Sequence, residues 1–346
     1  MSPSSLTLVH LPAASLSSRS ASWWDGVLGV AAFGAVPAVP WPASVPAISV
    51  RMPVLSAAGP VCEAWRSDEP LAAGSHGAIR YRTGRSVMFG SLEIPDGALT
   101  VAGGPTAIAL QQATEAAYRE LFALLDAAGF PGLLRVWNCF PAINQEHAGS
   151  ERYWQFNAGR QDAFVASGRA TAGDVPAASA LGTSGGGFAL CFVAARERPR
   201  AIENPRQVSA YAYPPQYGPR SPTFARASLA RPTGGPLLFV SGTASIVGHR
   251  TLHAGDAVAQ TVESLRNIDA VLGEARAADP QAALRLDELA YKIYVRNAAD
   301  YAAVRAAFRE RVGDRAAALF VQADVCRSDL LVEIEASGGH RVEVAR

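Results

Sequence analysis

The chain has few cysteines, and none of them are closely paired. Its four cysteines, Cys62, Cys139, Cys191 and Cys326, are widely spaced and form no CxxC sequence. Structural zinc sites and disulfide-rich small domains both depend on closely spaced cysteines. We therefore expect no metal site, and free thiols of the kind found in a reducing cytoplasm.

The chain also lacks a surplus of charge of either sign. Its formal net charge is +1, and 18% of the residues are charged. Such a balance gives no general attraction to nucleic acids or to acidic membrane surfaces, and no stripe of basic and aromatic residues suggests otherwise. We expect neither a nucleic-acid nor a membrane partner, so any anion must be bound by individual arginines.

No apolar run is long enough to suggest a membrane helix. The longest uncharged stretch near the N-terminus, Gly26 to Val50, is broken by four prolines and follows Asp25. A membrane helix needs about 20 continuous apolar residues, and a signal peptide begins with basic residues. We interpret this stretch as entry strands of the first domain.

The sequence does contain an internal repeat of strands and amphipathic helices. The C-terminal copy predicts, in order, Leu237–Val247 as strand, Ala257–Leu272 as helix, Leu289–Val295 as strand, Asp300–Val312 as helix and Ala318–Ala336 as closing strands. The N-terminal copy predicts Arg85–Ile94 as strand, Ala107–Ala128 as helix, Leu133–Cys139 as strand, Glu151–Ala166 as helix and Ser179–Ala194 as closing strands. Two matching copies indicate an α+β fold of two tandem units, with the helices on one face of each sheet.

The repeat sets the predicted domain boundaries. We expect an N-terminal domain over 1–196, a functional interdomain loop over 197–234 and a C-terminal domain over 235–346. A connection of this length far exceeds the usual 4–6 residues or so, which favours a functional role. A mobile tether is the alternative, although the tyrosines Tyr211, Tyr213 and Tyr217 argue against simple disorder.

An acid stands out in the closing strand of the second copy. Leu330, Val332, Ile334 and Ala336 alternate with Leu331, Glu333 and Glu335, which predicts one wholly apolar face. Glu333 aligns with Cys191 of the first copy, so the strand itself does not require an acid. A carboxyl in apolar surroundings has a raised pKa and can act as a general acid. An ion pair with an arginine of residues 196–226 is the alternative.

The second helix of the first copy carries an unexpected arginine. The repeat places Tyr153 over Tyr301 and Arg160 over Phe308. Residues seven apart share a helix face, so Tyr153 and Arg160 point the same way. A guanidinium on a face that the fold would bury needs an anion, which favours a carboxylate-binding pair. A surface arginine that extends its head group to solvent is the alternative.

The C-terminal copy resembles the YjgF/RidA family through SGTAS (241–245), TVESLRNIDAVL (261–272), the segment from Leu289 to Phe308, and VEIEA (332–336). The resemblance implies a chorismate-mutase-like fold whose family members are trimers with sites between subunits. It also implies that Glu333 belongs to the site. The family's deaminases carry an arginine about fifteen residues earlier, where this chain has Ala318, so imine deamination is not expected.

Over its whole length the chain resembles the chorismatases. The motifs are RVWNCFPAIN (135–144), ERYWQFNAGR (151–160), ENPRQVSAYAYPPQYGPR (203–220), SGTASIVGH (241–249) and CRSDLLVEIEA (326–336). The resemblance implies an enzyme that needs no cofactor and cleaves pyruvate from chorismate. Cys326 looks like the mark of the branch that forms 3-hydroxybenzoate, with some 4-hydroxybenzoate an open possibility.

Seven residues follow as the expected site. Glu333 and Cys326 would be catalytic, and the substrate would be held by Tyr153, Arg160, Tyr213, Arg226 and Ala244. Tyr211 and Tyr217 remain alternatives to Tyr213. Two other activities stay open: hydrolysis of chorismate to 3,4-dihydroxycyclohexa-1,5-diene carboxylate, and non-catalytic binding of a small carboxylate. Two fused copies can supply internally part of what trimers supply between subunits, which predicts a monomer.

Overall fold

The protein is described by a computed structural model that covers residues 5–35, 41–95 and 109–345. Residues 36–40 of the expected entry strands lie outside the described residues. The same holds for the first two residues of the helix predicted over 107–128.

The described part of the chain divides into three successive groups of elements. Residues 5–67 form α1 (Ala21–Asp25) with β1 (Leu6–Pro12), β2 (Val27–Phe33), β3 (Ala47–Val50) and β4 (Val61–Ser67). Between 72 and 195 lie α2 (Ala109–Ala128) and α3 (Arg152–Ala166), with β5 (Ala72–His76), β6 (Ile79–Thr83), β7 (Val87–Ile94), β8 (Gly132–Pro141), β9 (Glu146–His147), β10 (Ser150–Glu151), β11 (Ala177–Thr183) and β12 (Phe188–Ala195). Residues 200–344 form α4 (Ala257–Ala278) and α5 (Tyr301–Val312), with β13 (Arg200–Ile202), β14 (Ala227–Ala230), β15 (Leu237–Ala244), β16 (Ile246–Val247), β17 (Arg250–Thr251), β18 (Ala290–Val295), β19 (Ala318–Gln322), β20 (Val332–Gly338) and β21 (Arg341–Val344).

Two sheets share one topology, which confirms the predicted α+β repeat. The strand orders are β11-β8-β12-β7-β6-β5 and β13-β14-β15-β20-β18-β19. Each sheet has one parallel pair at its edge, β8 with β11 in the first sheet and β18 with β19 in the second. The other strand pairs of both sheets are antiparallel. Helices α2 and α3 cover the first sheet, and α4 and α5 cover the second. Each helix buries its apolar face, since neither sheet could otherwise shield that side from water.

The two copies match in register as well as in strand order. Cys191 on β12 lies opposite Trp137 on β8. Glu333 on β20 lies opposite Tyr294 on β18. Both Cys191 and Glu333 therefore point away from the helices, because side chains alternate along a strand.

A third sheet, which the repeat does not predict, covers the free faces of the other two. Its order is β21-β1-β4-β2-β3, so the last strand pairs with the first one. A shared core contains aromatic residues of all three sheets, Trp65 from the third sheet, Trp137 from the first and Phe239 and Tyr294 from the second. The boundaries at 196 and 234 stay a prediction, and the 197–234 segment contributes β13 and β14 to the second sheet.

The closing strand is shorter than its alternating pattern indicated. Strand β20 begins at Val332, and its apolar face, Val332, Ile334 and Ala336, enters the core beneath α4 and α5 as expected. The alternation predicted for Leu330 and Leu331 is wrong: Leu330 enters the shared core, and Leu331 packs on the helix side. The reason is that 323–331 is irregular and is fixed by Arg296, which donates to the carbonyl oxygens of residues 325, 327 and 330.

Candidate active site

Glu333 lies at the centre of the second sheet, on the face that points toward the first sheet. It stands opposite Ala244 on β15 and Tyr294 on β18, and it is only 4% exposed. Burial, followed by the charge of Glu335, raises the pKa of Glu333 to about 8, against the opposing influence of Arg135, Arg296 and Arg226. The carboxyl group is therefore protonated at neutral pH and can serve as an acid.

A bulge in β15 makes room for this carboxyl group. The register between β15 and β20 shifts between Val240 and Thr243, and Gly242 lies in that shift. A methyl group on Gly242 would overlap Oε1 of Glu333 and would come within 3.2 Å of Cβ of Ser179. Only glycine leaves the space that the acid occupies, a constraint that the SGTAS motif alone did not reveal.

Helix α3 of the first unit brings Tyr153 and Arg160 to the site. Both are buried, and Arg160 is 2% exposed, so its head group does not reach solvent. Burial raises the pKa of Tyr153, and ionisation of Cys326 or Glu333 would raise it further, whereas Arg160 lowers it. Arg160 donates to Oδ1 of Asn157 at 3.1 Å, while its Nε has no hydrogen-bond partner in the part of the chain that the structure describes.

The segment between β13 and β14 brings Tyr213 and Arg226 to the other side. Arg226 donates to the hydroxyl oxygen of Tyr213 at 2.8 Å and to the carbonyl oxygen of Val208 at 2.7 Å. Its charge reaches both Glu333 and Cys326. Glu203 also lies near Arg226, and burial raises the pKa of Glu203 against the opposing charge of Arg226.

Arg327 is a third guanidinium that the sequence reasoning missed. Its Cζ lies 3.7 Å from the ring centre of Tyr217 and 5.1 Å from that of Tyr213. Its Nη1 donates to the carbonyl oxygen of His249 at 2.9 Å. Within the described residues its Nη2 is buried without a partner. Its position beside Cys326 in the CRSD motif was the only signal in the sequence.

The structure separates the three tyrosines of the loop. The ring centres of Tyr213 and Tyr217 lie 5.6 Å apart, and both rings lie beside the guanidinium group of Arg327. Tyr211 packs instead against the core under the first pair of helices. Arg220, which stands behind Arg226 in sequence, faces Asp162 at 3.7 Å on the surface.

Cys326 lies between the shared core and the core of the first unit. Burial, with a further contribution from Glu333, raises the pKa of its thiol to about 12. The thiol therefore stays protonated at neutral pH and acts as a small, weak hydrogen-bond donor, since only a thiolate is a strong nucleophile.

The assembled groups suit a small anionic substrate and a proton transfer. Arg160, Arg226 and Arg327 supply positive charge, and bidentate pairing of guanidinium with carboxylate is strong in a buried place. Glu333 carries a proton at neutral pH. Among the described residues, no group of three or more histidines, cysteines or acids is arranged to hold a metal ion. No helix there is both long and apolar enough to cross a membrane.

The fold is that of an enzyme built from two YjgF/RidA-like units, and the buried carboxyl group of Glu333 lies at the junction between them. Comparisons with known proteins narrow this class. Residues 63–194 match the family model "Chorismatase FkbO/Hyg5-like, N-terminal", and residues 227–338 match "Endoribonuclease L-PSP". The chain belongs to the chorismatase family.

Two curated relatives and one solved structure carry the same family name or a related activity. A chorismatase of Streptomyces rapamycinicus is 39% identical over 79% of this chain and 80% of its own length. A 3-hydroxybenzoate synthase of Streptomyces hygroscopicus is 40% identical over 84% of both chains. A chorismatase crystal structure superposes with a TM-score of 0.86 at 31% identity, and the match covers 98% of this chain and 99% of the other.

Proposed function

We propose that this protein cleaves chorismate and releases pyruvate and 3-hydroxybenzoate. The observation that carries the proposal is the buried, protonated Glu333 at the junction where Tyr153, Arg226 and Cys326 meet. The names of the relatives, chorismatase and 3-hydroxybenzoate synthase, point to the same substrate and product.

The two carboxylates of chorismate call for two cationic anchors. Arg160 on α3 and Arg226 before β14 are the two we assign, with Tyr153 and Tyr213 beside them as phenol donors. Each guanidinium is buried and keeps an Nε without a partner among the described residues. A carboxylate would satisfy these donors, since a buried donor without a partner costs free energy. Ala244, which lies opposite Glu333 on the neighbouring strand, is assigned to the wall beside the ring.

Glu333 then protonates the terminal methylene of the enolpyruvyl ether. The ether carbon gains oxocarbenium character, and the carbon–oxygen bond to the ring breaks as pyruvate forms. The 4-hydroxyl oxygen bonds to the ring carbon that loses the ether oxygen and gives its proton to the Glu333 carboxylate, which leaves an epoxide on the ring. Opening of that epoxide at the 4-position, with loss of the hydrogen at the 3-position as a proton and protonation of the oxygen, gives 3-hydroxybenzoate. The overall change to pyruvate and 3-hydroxybenzoate consumes no water, whereas formation of the dihydroxycyclohexadiene acid adds one. Cys326 is assigned to the choice between these outcomes.

The test is to incubate the purified protein with chorismate in water enriched in oxygen-18. We expect pyruvate by a coupled dehydrogenase assay, and 3-hydroxybenzoate without added label on its ring by mass spectrometry. Glu333→Gln, which keeps the shape but cannot release the proton, is the matched control and should lose at least about 100-fold in rate. Pyruvate with a hydrated diene acid would favour the hydrolase. Chorismate binding without pyruvate would leave only a binding protein.

We also propose that the enzyme is located in the cytoplasm, is a monomer and needs no cofactor. All four cysteines are free thiols, which suits a reducing compartment.

A further inference from the structure

A chain of buried charged residues links all three sheets behind Glu333. Nε2 of His10 on β1 lies 3.3 Å from Oε1 of Glu63 on β4. Nζ of Lys292 on β18 lies 2.5 Å from Oε2 of Glu63 and 3.1 Å from Oε1 of Glu335 on β20. Arg135 on β8 ends the chain, with Nη2 2.5 Å from Oε2 of Glu335.

Lys292 is the only lysine among the 346 residues, and it is 4% exposed. Every other basic side chain of fixed charge is arginine. Burying one ammonium group is unfavourable unless acids neutralise it, and Glu63 and Glu335 do so from opposite sides. The negative charges of Glu63 and Glu335 and the positive charges of Lys292 and Arg135 therefore cancel within this chain of residues.

Glu335 is the point where this chain joins the two repeated units. Besides Lys292 and Arg135, it accepts hydrogen bonds from Nε1 of Trp137 at 2.7 Å, from the hydroxyl of Tyr294 at 2.9 Å and from the hydroxyl of Ser179 at 3.2 Å. So many donors hold the group in its carboxylate form. Burial alone would raise the pKa of Glu335, but Lys292 and Arg135 bring it below its ordinary value.

Glu333 and Glu335 are two residues apart on one strand, so they share the same buried face. Building on the function proposed above, we propose that Glu335 is a positioning residue: its fixed negative charge keeps the neighbouring Glu333 protonated and ready to donate. Lys292 and Arg135 anchor that charge, and Glu63 and His10 complete the support from the third sheet.

The charged and titratable groups around Glu333 come from several elements. They are Glu335 on β20, Arg135 on β8, Tyr294 on β18, Arg296 after β18, Arg226 before β14, Cys326 in the 323–331 segment and Tyr153 on α3. The guanidinium groups favour the ionised form of Glu333, and Glu335 is the acid that opposes them. Without its charge, the balance around Glu333 would become positive.

The test is the pH dependence of kcat/KM for pyruvate release from chorismate. The wild type should lose activity as the pH rises through about 8, because Glu333 then loses its proton. In Glu335→Gln, the pH at which activity is lost on this alkaline side should fall by about 1 pH unit or more. Glu335→Asp keeps the charge and should leave the limb within about half a unit of the wild type.

Glu63→Gln is the matched control, since it breaks the same chain of charges further from Glu333. It should lower the melting temperature as Glu335→Gln does, yet move the alkaline limb by less than half as much, because Glu63 acts on Glu333 only through Lys292. If both variants lost stability and neither moved the limb, Glu335 would be merely structural and the proposal would be overturned.

A measurement on the wild type separates this proposal from the proposed reaction. Carbon-13 NMR of glutamate-labelled protein, with Glu333 and Glu335 assigned through their Gln variants, should show Glu333 titrating near 8 while Glu335 stays ionised at neutral pH. A Glu333 that titrates near its ordinary 4.5 would overturn the proposal even if pyruvate were released. Absence of pyruvate with the expected titration would instead reject the reaction.

Discussion

Glu333 combines a chemical role with an energetic cost. A fully buried acid that must stay protonated gains nothing for the fold, and Cys191 fills the same register position in the sister sheet. The groups that could stabilise an ionised carboxylate there are guanidinium groups, and two of them, those of Arg135 and Arg296, already donate to Glu335 and to carbonyl oxygens of the 323–331 segment. Packing alone therefore does not account for an acid at this position.

This cost predicts how stability depends on pH. The pKa of Glu333 is about 8 in the folded protein, against 4.5 for a solvent-exposed glutamate, so between these values the folded state holds a proton that the unfolded state has lost. Stability is therefore greatest below 4.5 with respect to this group and declines as the pH rises through about 8. Relative to Glu333→Gln, the free energy of unfolding of the wild type should fall by up to about 1.4 kcal/mol per pH unit over that window.

Urea unfolding of both proteins at several pH values between 5 and 9 or so measures this difference. The Gln variant is the control for every other titrating group. A constant difference across the range would mean that Glu333 is not buried as a neutral acid.

Cys326 leads to a prediction about product choice. Its protonated thiol packs between two cores next to Glu333, where it can steer the ring without taking part in pyruvate release. Cys326→Ala should change the ratio of 3-hydroxybenzoate to other products by about fivefold or more, which is about 1 kcal/mol between competing barriers. The rate of pyruvate release should change less.

Chromatography of the aromatic and diene acids, calibrated against total pyruvate, gives this ratio. Cys326→Ser, similar in size and still a donor, is the matched variant and should lie between the wild type and the alanine variant. An unaltered ratio in Cys326→Ala would remove the thiol from product choice.

At this scale, sequence reasoning found the residues that differ between the two copies. Glu333 against Cys191 and Arg160 against Phe308 stood out because the repeat supplied an internal comparison. Glu335 was noticed as an acid, but its partners could not be inferred, since Arg135 lies 200 residues away along the chain. Pairings at that separation have no local pattern.

At the scale of elements, helices and strands of the repeat were predictable because their apolar periodicity is strong. Helix α3 begins at Arg152 and α5 at Tyr301, each one residue after the predicted start. The bulge in β15 and the irregular 323–331 segment were not predictable. Both depend on contacts with other elements, such as the hydrogen bonds between Gly182 and Asp324, and not on residue type alone.

The bulge predicts the effect of a methyl group at Gly242. Gly242→Ala would push Cβ into Oε1 of Glu333, so the carboxyl group must move away from the substrate. We expect at least about a tenfold loss of kcat, because misplacement of a reacting group by about 1 Å is costly. Overpacking should also lower the free energy of unfolding by about 1–3 kcal/mol.

The control is Gly273→Ala at a half-buried position of α4, where an added Cβ meets no atom within 4 Å. That variant should be neutral or slightly stabilising, since alanine favours a helix. Steady-state kinetics and thermal melting of both variants separate the two effects. Wild-type kcat in Gly242→Ala would show that β15 does not position Glu333.

At the scale of the whole molecule, the third sheet is what the sequence reasoning left out. Strand β1 pairs in parallel with β21, with Thr7 opposite Arg341, so the two ends of the chain meet. Strands β2 and β3 are uncharged and are separated by a proline-rich stretch, which is typical of entry strands, and no local pattern indicates that they form a separate sheet. The shared core of three sheets is visible only in three dimensions.

This third sheet leads to the prediction of a monomer. It covers the sheet faces that an isolated repeated unit would leave open, and the residues of the candidate site come from both units of one chain. In the described part of the chain, the exposed large apolar residues are Val165, Val258 and Val344, which lie on different elements. A stable interface buries about 1,200–2,000 Å² around an apolar centre, which these scattered residues do not supply.

Light scattering coupled to size-exclusion chromatography should therefore give a mass near 36.2 kDa at every loading concentration. A mass three times larger would mean that the chain assembles as YjgF/RidA-like subunits are expected to, despite its third sheet. Activity per chain should likewise stay constant on dilution, because both sides of the site belong to one molecule. A specific activity that fell on dilution, with a matching fall in mass, would contradict the monomer and show that a second copy completes the site.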